Sequence, residues 1–413
     1  MKILAVNQCH YKRGGSEVVY FNTIDLLRSN GHEVACFSVL HPKNEPTEFE
    51  KYFIPAPDLR KSSVFQKMKG VFSYLYNKQA YKNINQLIRD FKPDVAHIHN
   101  YYATLSVSVL KALFDNHIPV VLTVHDYRLL CPANTLMDNK INVCEKCASH
   151  SPLNAVKKKC SDNNLAQSIV IALEAMYWRN IKSPTKYIDC FHFVSNFCKQ
   201  KHVEFIPVIQ EKSSVFYNFT QSILEKKDVE TERYFLYFGR LSPEKGILTL
   251  IDAWKKLPQN MLLKIVGAGE QFEIIKSIIE KNNLSNISLL GYKTGDDLAE
   301  LIKKAYFVIV PSEWYENNPM TIIEAYSCGV PVIGANIGGI PEIILNHKTG
   351  FTFQVKNNDQ LKEIVLLADN LSTIEYEKMT KECIKFANNN FSSKEFYSNL
   401  ISIYKKAINN KLK

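Results

Sequence analysis

The sequence predicts an α/β protein of two doubly wound domains, each built on a mostly parallel sheet. Three observations predict it. The chain has 413 residues, more than one hydrophobic core usually organises, since single cores stop growing at roughly 250–300 residues. Short apolar runs alternate with stretches of helical period along both halves, which is the pattern of strand–helix–strand units. Glycines punctuate the ends of apolar runs in both halves, and open parallel sheets take their ligands beyond those strand ends.

The elements follow in order. "KILAV" reads as the first strand and "RGGSE" as the loop after it. Tyr20, Ile24 and Leu27 then recur at i, i+4 and i+7, so a helix follows, with Ser16 as its expected N-cap and Gly31 as its stop. "HEVACFSV", "DVAHIH", "PVVLTVH" and "CFHFVS" supply further strands of the first half. "YFLYFG", "MLLKIVG", "ISLLG", "YFVIV", "PVIGA" and "GFTFQV" supply those of the second. Helical patterns such as 247–256 and 271–282 separate most of them. The halves are joined by "SSVFYNFTQSILEKKDVETERYF", a last strand followed by a charged polar stretch. The expected domains are therefore 1–217, carrying a cysteine-rich insert at 131–160, and 218–395. A final amphipathic helix, 396–413, is expected to pack back on the first domain.

Composition narrows the classes. The chain is 46% hydrophobic and 22% charged, as globular proteins are. Its longest apolar runs, "IPVVLTV" and "YFVIV", fall far short of the ~18–20 residues that a membrane span needs. "MKILAV" is too short for a signal sequence, because polar residues resume at Asn7. A cytoplasmic location is expected. Ten cysteines in a chain of this length do not suggest a secreted disulfide scaffold; Cys9, Cys36, Cys190, Cys198, Cys328 and Cys383 read as core or surface thiols. The formal charge of +10 is uneven. Residues 59–89 hold no acid, yet carry Arg60, Lys61, Lys67, Lys69, Lys78, Lys82 and Arg89 among Phe65, Met68, Val71, Phe72, Tyr74, Leu75 and Tyr76. Such a segment suits an anionic membrane surface, and equally a solvated helix over the core.

Candidate site residues sit at the strand ends. In "KRGGSE", Gly14 and Gly15 let the backbone approach a ligand, and the helix start behind them favours anions; a simple turn is the plainer alternative. Neither a G-x-G-x-x-G nor a Walker loop is present, which takes support from nicotinamide and P-loop readings. The matching place in the second half is "YFGRLSPEKGI", where Gly239 ends a strand and Arg240 and Lys245 follow. Two such cations can hold a diphosphate, or pair with Glu244 on the surface. In "PSEWYENNPMTIIEAYSCGVPVI", Pro319 suits the first helical position with Asn318 as cap. Glu316 then falls in the loop at a cleft mouth and Glu324 a turn deeper in the helix. One carboxylate can accept hydroxyls at the loop and the other further in, with helix N–H groups between them; a pre-cap acid and a surface charge are the plainer alternatives.

These stretches, in order and spacing, closely resemble retaining glycosyltransferases of family 4, whose fold is GT-B: "GGSE", "TVHD", "YNF", "GRLSPEKG", "GAGE", the segment from Pro311, and "GGIPEII". The resemblance runs through nearly the whole chain. It implies a C-terminal domain that holds a nucleotide-diphosphate sugar of UDP or GDP type, with Arg240 and Lys245 on the diphosphate. It implies Glu316 at the donor sugar, Glu324 at the ribose, and backbone amides of Asn317, Asn318, Pro319 and Met320 at phosphate and sugar. Gly14 and Gly15 would line the N-domain side, and His125 would face the donor sugar; on the residues alone His125 reads as a satisfied histidine at a strand end. Retention of configuration and front-face attack by the acceptor are implied likewise. Physical reasoning runs the same way: two cations and a helix N-terminus can stabilise a leaving diphosphate, and no D-x-D pair at a strand end suggests a donor-site metal.

One feature departs from the family pattern. Cys131, Cys144, Cys147 and Cys160 are spaced C-x12-C-x2-C-x12-C, which can supply a structural zinc site or reduced thiols in an acceptor-shaping loop. The expected function is a cytoplasmic hexosyltransferase, peripheral to the membrane. It would move a sugar from a nucleotide-diphosphate donor to a glycan or lipid-linked acceptor in capsule, O-antigen or exopolysaccharide synthesis, with no cofactor required for transfer. A GT-B epimerase or phosphorylase is the alternative enzyme. A zinc-bearing nucleic-acid binder leaves the glutamate pair unexplained and lacks RNA-binding signatures, so no nucleic-acid partner is expected.

Overall fold

The computed structural model describes residues 1–56, 73–220 and 232–412. The chain divides into two compact units, one of Met1–Asn139, Cys144–Phe216 and Lys394–Lys413, the other of Lys140–Val143 and Tyr217–Ser393.

In the first unit the order is β1 (Lys2–Val6), α1 (Gly15–Ser29), β2 (Glu33–Phe37), β3 (Val39–Leu40), β4 (Ile54–Pro55), α2 (Lys78–Phe91), β5 (Val95–Ile98), α3 (Val107–Asp115) and β6 (Val120–Val124). The short helices α4 (Lys146–Ser149) and α5 (Asn154–Lys157) follow, then α6 (Leu165–Asn180), β7 (Cys190–Phe193), α7 (Asn196–Phe205) and β8 (Ser213–Val215). The main sheet runs β2-β1-β5-β6-β7-β8 with parallel pairings throughout. Apart from Lys2 at the start of β1, its central strands are buried along their whole length, which is why they read as continuous apolar runs rather than alternating ones. A two-stranded parallel pair, β3 with β4, lies outside the pattern read from sequence. Gly14, not Ser16, is the N-cap of α1, in extended backbone and without a side-chain cap. A glycine there costs a helix little, because it ranks close to the hydroxyl caps.

The second unit contains β9 (Tyr234–Phe238), α8 (Ile247–Trp254), β10 (Leu262–Val266), α9 (Phe272–Lys281), β11 (Ile287–Leu289), α10 (Gly295–Lys304) and β12 (Phe307–Val310). It continues with α11 (Met320–Ser327), β13 (Val332–Ala335), α12 (Ile340–Ile343), β14 (Gly350–Phe353), α13 (Asn358–Asp369) and α14 (Thr373–Asn390). The sheet order β11-β10-β9-β12-β13-β14, all parallel, is the dinucleotide-fold order 3-2-1-4-5-6. Its topological switch falls between β9 and β12, the place where folds of this order take their ligands.

The last helix, α15 (Ser393–Leu412), is tied into the first unit by a directed chain of buried hydrogen bonds. His192 Nε2 meets the carbonyl of Phe216 at 2.9 Å, so that nitrogen carries the proton and Nδ1 must accept. Thr123 Oγ1 therefore donates to His192 Nδ1 at 3.0 Å and accepts from His97 Nε2 at 2.7 Å. Tyr404, from α15, donates to His97 Nδ1 at 2.7 Å. Every proton in the chain is set by the one carbonyl at its end. Burial first, then the neighbouring rings, hold His97 well below its ordinary range; burial pushes His192 down to about 3. The rings are neutral at pH 7, as the directed chain requires.

Candidate active site

In the second unit the switch point brings two loops together. The loop after β9 carries Gly239, Arg240 and Lys245; the loop after β12 carries Ser312 to Pro319. Gly246 lets them meet. Its φ of +68° lies in the left-handed region, and a Cβ there would collide with the carbonyl oxygen of Pro311. The backbone N–H of Glu313 closes the contact by donating to the carbonyl of Glu244 at 2.8 Å.

Across this junction Lys245 Nζ sits 2.6 Å from Glu316 Oε1, and Ser312 Oγ donates to the same oxygen at 2.8 Å. Lys245 therefore pairs with Glu316 and not with Glu244, whose carboxylate accepts from Ser242 instead. Glu316 is also buried, where the sequence placed it at an open cleft mouth. Burial alone would raise its carboxyl; Lys245, Trp314 and Ser312 outweigh burial, and the pKa lies below the ordinary carboxylate value. The ammonium also lies 5.1 Å from the Trp314 ring centre. The Glu316 backbone is held separately: the N–H of Gly339 donates to its carbonyl at 2.6 Å, and a Cβ at Gly338, whose φ is +62°, would strike that same carbonyl. The glycines of "GGIPEII" thus position the acid from behind, a role that spacing did not reveal.

Arg240 and Gly239 are exposed. The Arg240 carbonyl accepts from Tyr237 at 2.7 Å. Burial, then Glu316 and Glu244, push the Tyr237 phenol up, with Arg240 opposing, which places both loops in one electrostatic neighbourhood. The cap differs from the expected one. Pro319 itself is the N-cap of α11, without a side-chain cap, and the helix begins at Met320. Asn318 is freed from capping because its Oδ1 accepts from the backbone N–H of Asn218 at 2.8 Å. Its Nδ2 is buried with no partner among the described residues, a donor that awaits an acceptor. Asn317 is buried beside it. At the start of α11 the Ile322 N–H donates to the Pro319 carbonyl at 3.0 Å, and the N–H groups of Met320 and Thr321 before it have no carbonyl of their own helix to reach. Glu324 lies in the second turn of α11, half-buried. Burial lifts its carboxyl to about 7, with no opposite charge among the described residues to counter it.

In the first unit Gly14 and Gly15 begin α1, and Glu17 is buried in its first turn. Burial raises that carboxyl against the hydrogen bonds of Ser16 and the helix start. His125 follows β6; its Nε2 lies 2.9 Å from His99 Nδ1 with the rings stacked, and burial lowers its pKa to about 4. Behind it Asp126 Oδ1 accepts from the backbone N–H of Arg128 at 2.9 Å and from Tyr102 at 3.2 Å, and Arg128 pairs with the buried Glu174. Sequence reading missed Glu174 because nothing marks it within an apolar helix.

Cys131, Cys144, Cys147 and Cys160 are free thiols. Burial, then neighbouring sulfurs, push Cys147 up to about 12 and Cys160 to about 11, and Lys158 Nζ approaches Cys144 Sγ at 3.5 Å. The spacing therefore brings the four sulfurs into one neighbourhood. Among the described residues no group of three or more His, Cys, Asp or Glu side chains is placed to hold a metal ion. Of the basic segment, residues 57–72 lie outside the described residues. Lys78, Lys82 and Arg89 are exposed on α2, whose other face buries Ala80, Ile84, Leu87 and Ile88.

Two doubly wound α/β units, the second with a cation–carboxylate pair at its switch point, define the GT-B class of glycosyltransferase. Residues 13–221 match the profile of Glycosyltransferase Family 4, and residues 219–388 that of Glycosyl transferases group 1. The chain belongs to glycosyltransferase family 4, and it is a glycosyltransferase. It is 27% identical over 359 residues to an uncharacterized 42.6 kDa protein in the cps region of Klebsiella pneumoniae, covering 83% of this chain and 87% of that one. An uncharacterized glycosyltransferase of Methanocaldococcus jannaschii is 37% identical over 131 residues, 32% of this chain and 36% of that protein. The O-antigen chain mannosyltransferase B of Escherichia coli is 25% identical over 264 residues, 62% of this chain and 61% of that one. The last two matches thus span less than two thirds of those proteins. Among solved structures, Anabaena HepE in complex with UDP superposes with a TM-score of 0.67 at 18% identity, over 97% of this chain and 100% of that one, a likeness of fold. Among the described residues no helix is long and apolar enough to cross a membrane.

Proposed function

We propose that this chain transfers a hexose, with retention of configuration, from a nucleotide-diphosphate sugar of UDP or GDP type to a glycan or lipid-linked acceptor in surface-polysaccharide synthesis. It would act at the cytoplasmic face of an anionic membrane. The observation that carries the reading is the Lys245–Glu316 pair at the switch point of the second sheet. The relatives named for a cps region and for O-antigen synthesis, and the UDP complex of a protein with this fold, support the setting and the donor class.

In this reading Arg240, Lys245 and the opening N–H groups of α11 take the diphosphate, and Asn318 Nδ2 donates to phosphate or sugar. Glu316 accepts from a sugar hydroxyl and Glu324 from the ribose. The bond from the anomeric carbon to the phosphate oxygen breaks as the acceptor oxygen bonds to the same face. The departing phosphate oxygen takes the acceptor's proton, so the products are a glycoside and a nucleoside diphosphate. Negative charge grows on the leaving diphosphate, where preorganised cations and N–H groups count most. These protein charges stand where a donor-site metal would otherwise act.

The test is purified protein against a panel of UDP-, GDP- and TDP-sugars with lipid-linked and glycan acceptors, following nucleotide release. Acceptor-dependent release from one donor class is expected. Release from none, with a folded protein that binds no nucleoside diphosphate in titration, would overturn the donor assignment.

A further inference from the structure

The helix α6 wears its residues inside out. A surface helix normally turns its apolar stripe to the core and its charges to water. Here Leu165, Ile169 and Leu173, spaced i, i+4 and i+8, are 50%, 41% and 41% exposed. The single charged residue between Leu165 and Trp178 is Glu174, and it is fully buried against Arg128. The inward face carries Ser168, Ala172, Ala175 and Trp178. Two further exposed apolar residues adjoin it: Leu153, beside α5, which packs on α6, and Ile181, just past the end of the helix.

Cations flank the stripe at both ends. Lys146, Lys157 and Lys159 are exposed before the helix and Lys186 after it, while Arg179, in its last turn, donates to the carbonyls of Leu130 and His150. Of the nearby acids, Glu174 is buried, Glu145 is paired with Lys201, and Asp162 alone is exposed and unpaired among the described residues. A helix with apolar side chains outward and cations at its borders has the make-up of one that lies in a membrane interface. It has 16 residues and does not qualify as a span, so it would lie flat. A second copy of this basic surface would bring like charges together, whereas anionic headgroups neutralise them.

We propose that α6 docks the first unit onto an anionic lipid bilayer, burying Leu165, Ile169 and Leu173 among acyl chains while Lys157, Lys159 and Lys186 meet headgroups. The proposal rests on the membrane reading above and names its surface, α6 rather than the basic segment at 59–89.

The experiment is co-sedimentation of the full chain with vesicles of 30% phosphatidylglycerol in phosphatidylcholine, and with phosphatidylcholine alone. Two variants are compared with wild type: the triple Leu165→Ser, Ile169→Ser, Leu173→Ser, and the charge pair Lys157→Glu, Lys159→Glu. Lys78→Glu, Lys82→Glu on α2 is the control. Far-ultraviolet circular dichroism and UDP titration report that each is folded. Wild type should prefer the anionic vesicles and lose binding with salt. Each α6 variant should partition at least about tenfold less, and the α2 control should match wild type. If wild type binds and the α6 variants bind equally well, the membrane reading stands and α6 is not its surface. Wild type failing to bind anionic vesicles overturns both. A wild-type dimer that the serine triple converts to monomer makes a second copy the occupant and overturns the lipid assignment.

Discussion

Replacing Lys245 with Met keeps most of the side chain's volume and deletes the charge that faces Glu316. Removing one partner of a fully buried ion pair costs about 3–5 kcal/mol, because the other charge is left uncompensated. The Lys245 side chain is a quarter exposed while that of Glu316 is 7% exposed, so solvent screening brings the cost below that range, to about 2–3 kcal/mol. The loss should depend on pH. In wild type the Glu316 carboxyl lies below its ordinary value of 4.5, so its contribution is present above that pH and is lost as pH falls through the folded value. Without Lys245, burial is the largest influence left and pushes the carboxyl up. The variant is then relatively most stable in acid and loses stability as pH rises. The gap between wild type and Lys245→Met should therefore widen from about pH 4 to pH 8. Urea unfolding in a Trp178→Phe background isolates the second unit, since the two remaining tryptophans, Trp254 and Trp314, both lie in it. Adding Glu316→Gln to Lys245→Met should recover about 1–2 kcal/mol. A gap that stays constant across this pH range, with no recovery in the double variant, would refute the charge-pair argument.

Three further outcomes are expected. Glu324, lifted by burial to about 7, should bind a ribose hydroxyl better once ionised, so nucleoside diphosphate affinity should rise as pH climbs through about 7 and flatten in Glu324→Gln; isothermal titration from pH 6 to 8.5 checks both. Its stability contribution has the opposite sense, being fully present below about 4.5 and lost as pH rises through about 7. Arg240→Ala should cut turnover by about 10²–10³ while circular dichroism is unchanged, as loss of one preorganised charge-stabilising donor does; near-wild-type rates at low and saturating donor would remove Arg240 from the diphosphate. Transfer should persist in excess EDTA, with protein-bound metal measured alongside; a rate lost to EDTA and restored by Mg²⁺ or Mn²⁺ would contradict a donor site charged by the protein alone.

The sheets were legible because parallel strands buried on both faces are continuous apolar runs, and "YFLYFG" or "PVVLTVH" can hardly be anything else. The ends of helices were less so. Asn318 has the composition of a cap, yet a backbone N–H a hundred residues earlier claims its oxygen, and no local pattern can show such a competitor. The site was legible as residue types at strand ends, but the pairing was not. Glu244 is Lys245's neighbour in sequence; Glu316 becomes its partner only because β12 lies beside β9 in the sheet. The histidine chain from Tyr404 to Phe216 was hidden for the same reason, since its members come from strands and a helix far apart in sequence. The cysteine spacing left zinc and reduced thiols open; the fold shows free thiols at all four positions, with no group of three or more metal-ligating side chains among the described residues.

The Lys245–Glu316 pair also says how a donor would enter. The Lys245 ammonium is stripped of part of its water by Glu316 Oε1, 2.6 Å away, an oxygen that also accepts from Ser312. In the proposed donor site an arriving diphosphate would not meet a bare cation; it would compete with a carboxylate for one. Binding is then an exchange of partners, and its free energy is the difference between two charge-assisted contacts. Glu316→Gln removes the competitor while keeping the shape. Lys245 is released, and free UDP or GDP should bind several-fold more tightly, although transfer falls because the sugar has lost its acceptor carboxylate. Binding energy gained equally in ground and transition states does not raise turnover, so tighter nucleotide and slower chemistry are compatible in one variant. Titration with nucleoside diphosphate, beside single-turnover rates, separates the two. If Glu316→Gln weakens nucleotide binding instead, Glu316 supports the diphosphate site rather than competing for it, and the exchange is not how the donor is admitted.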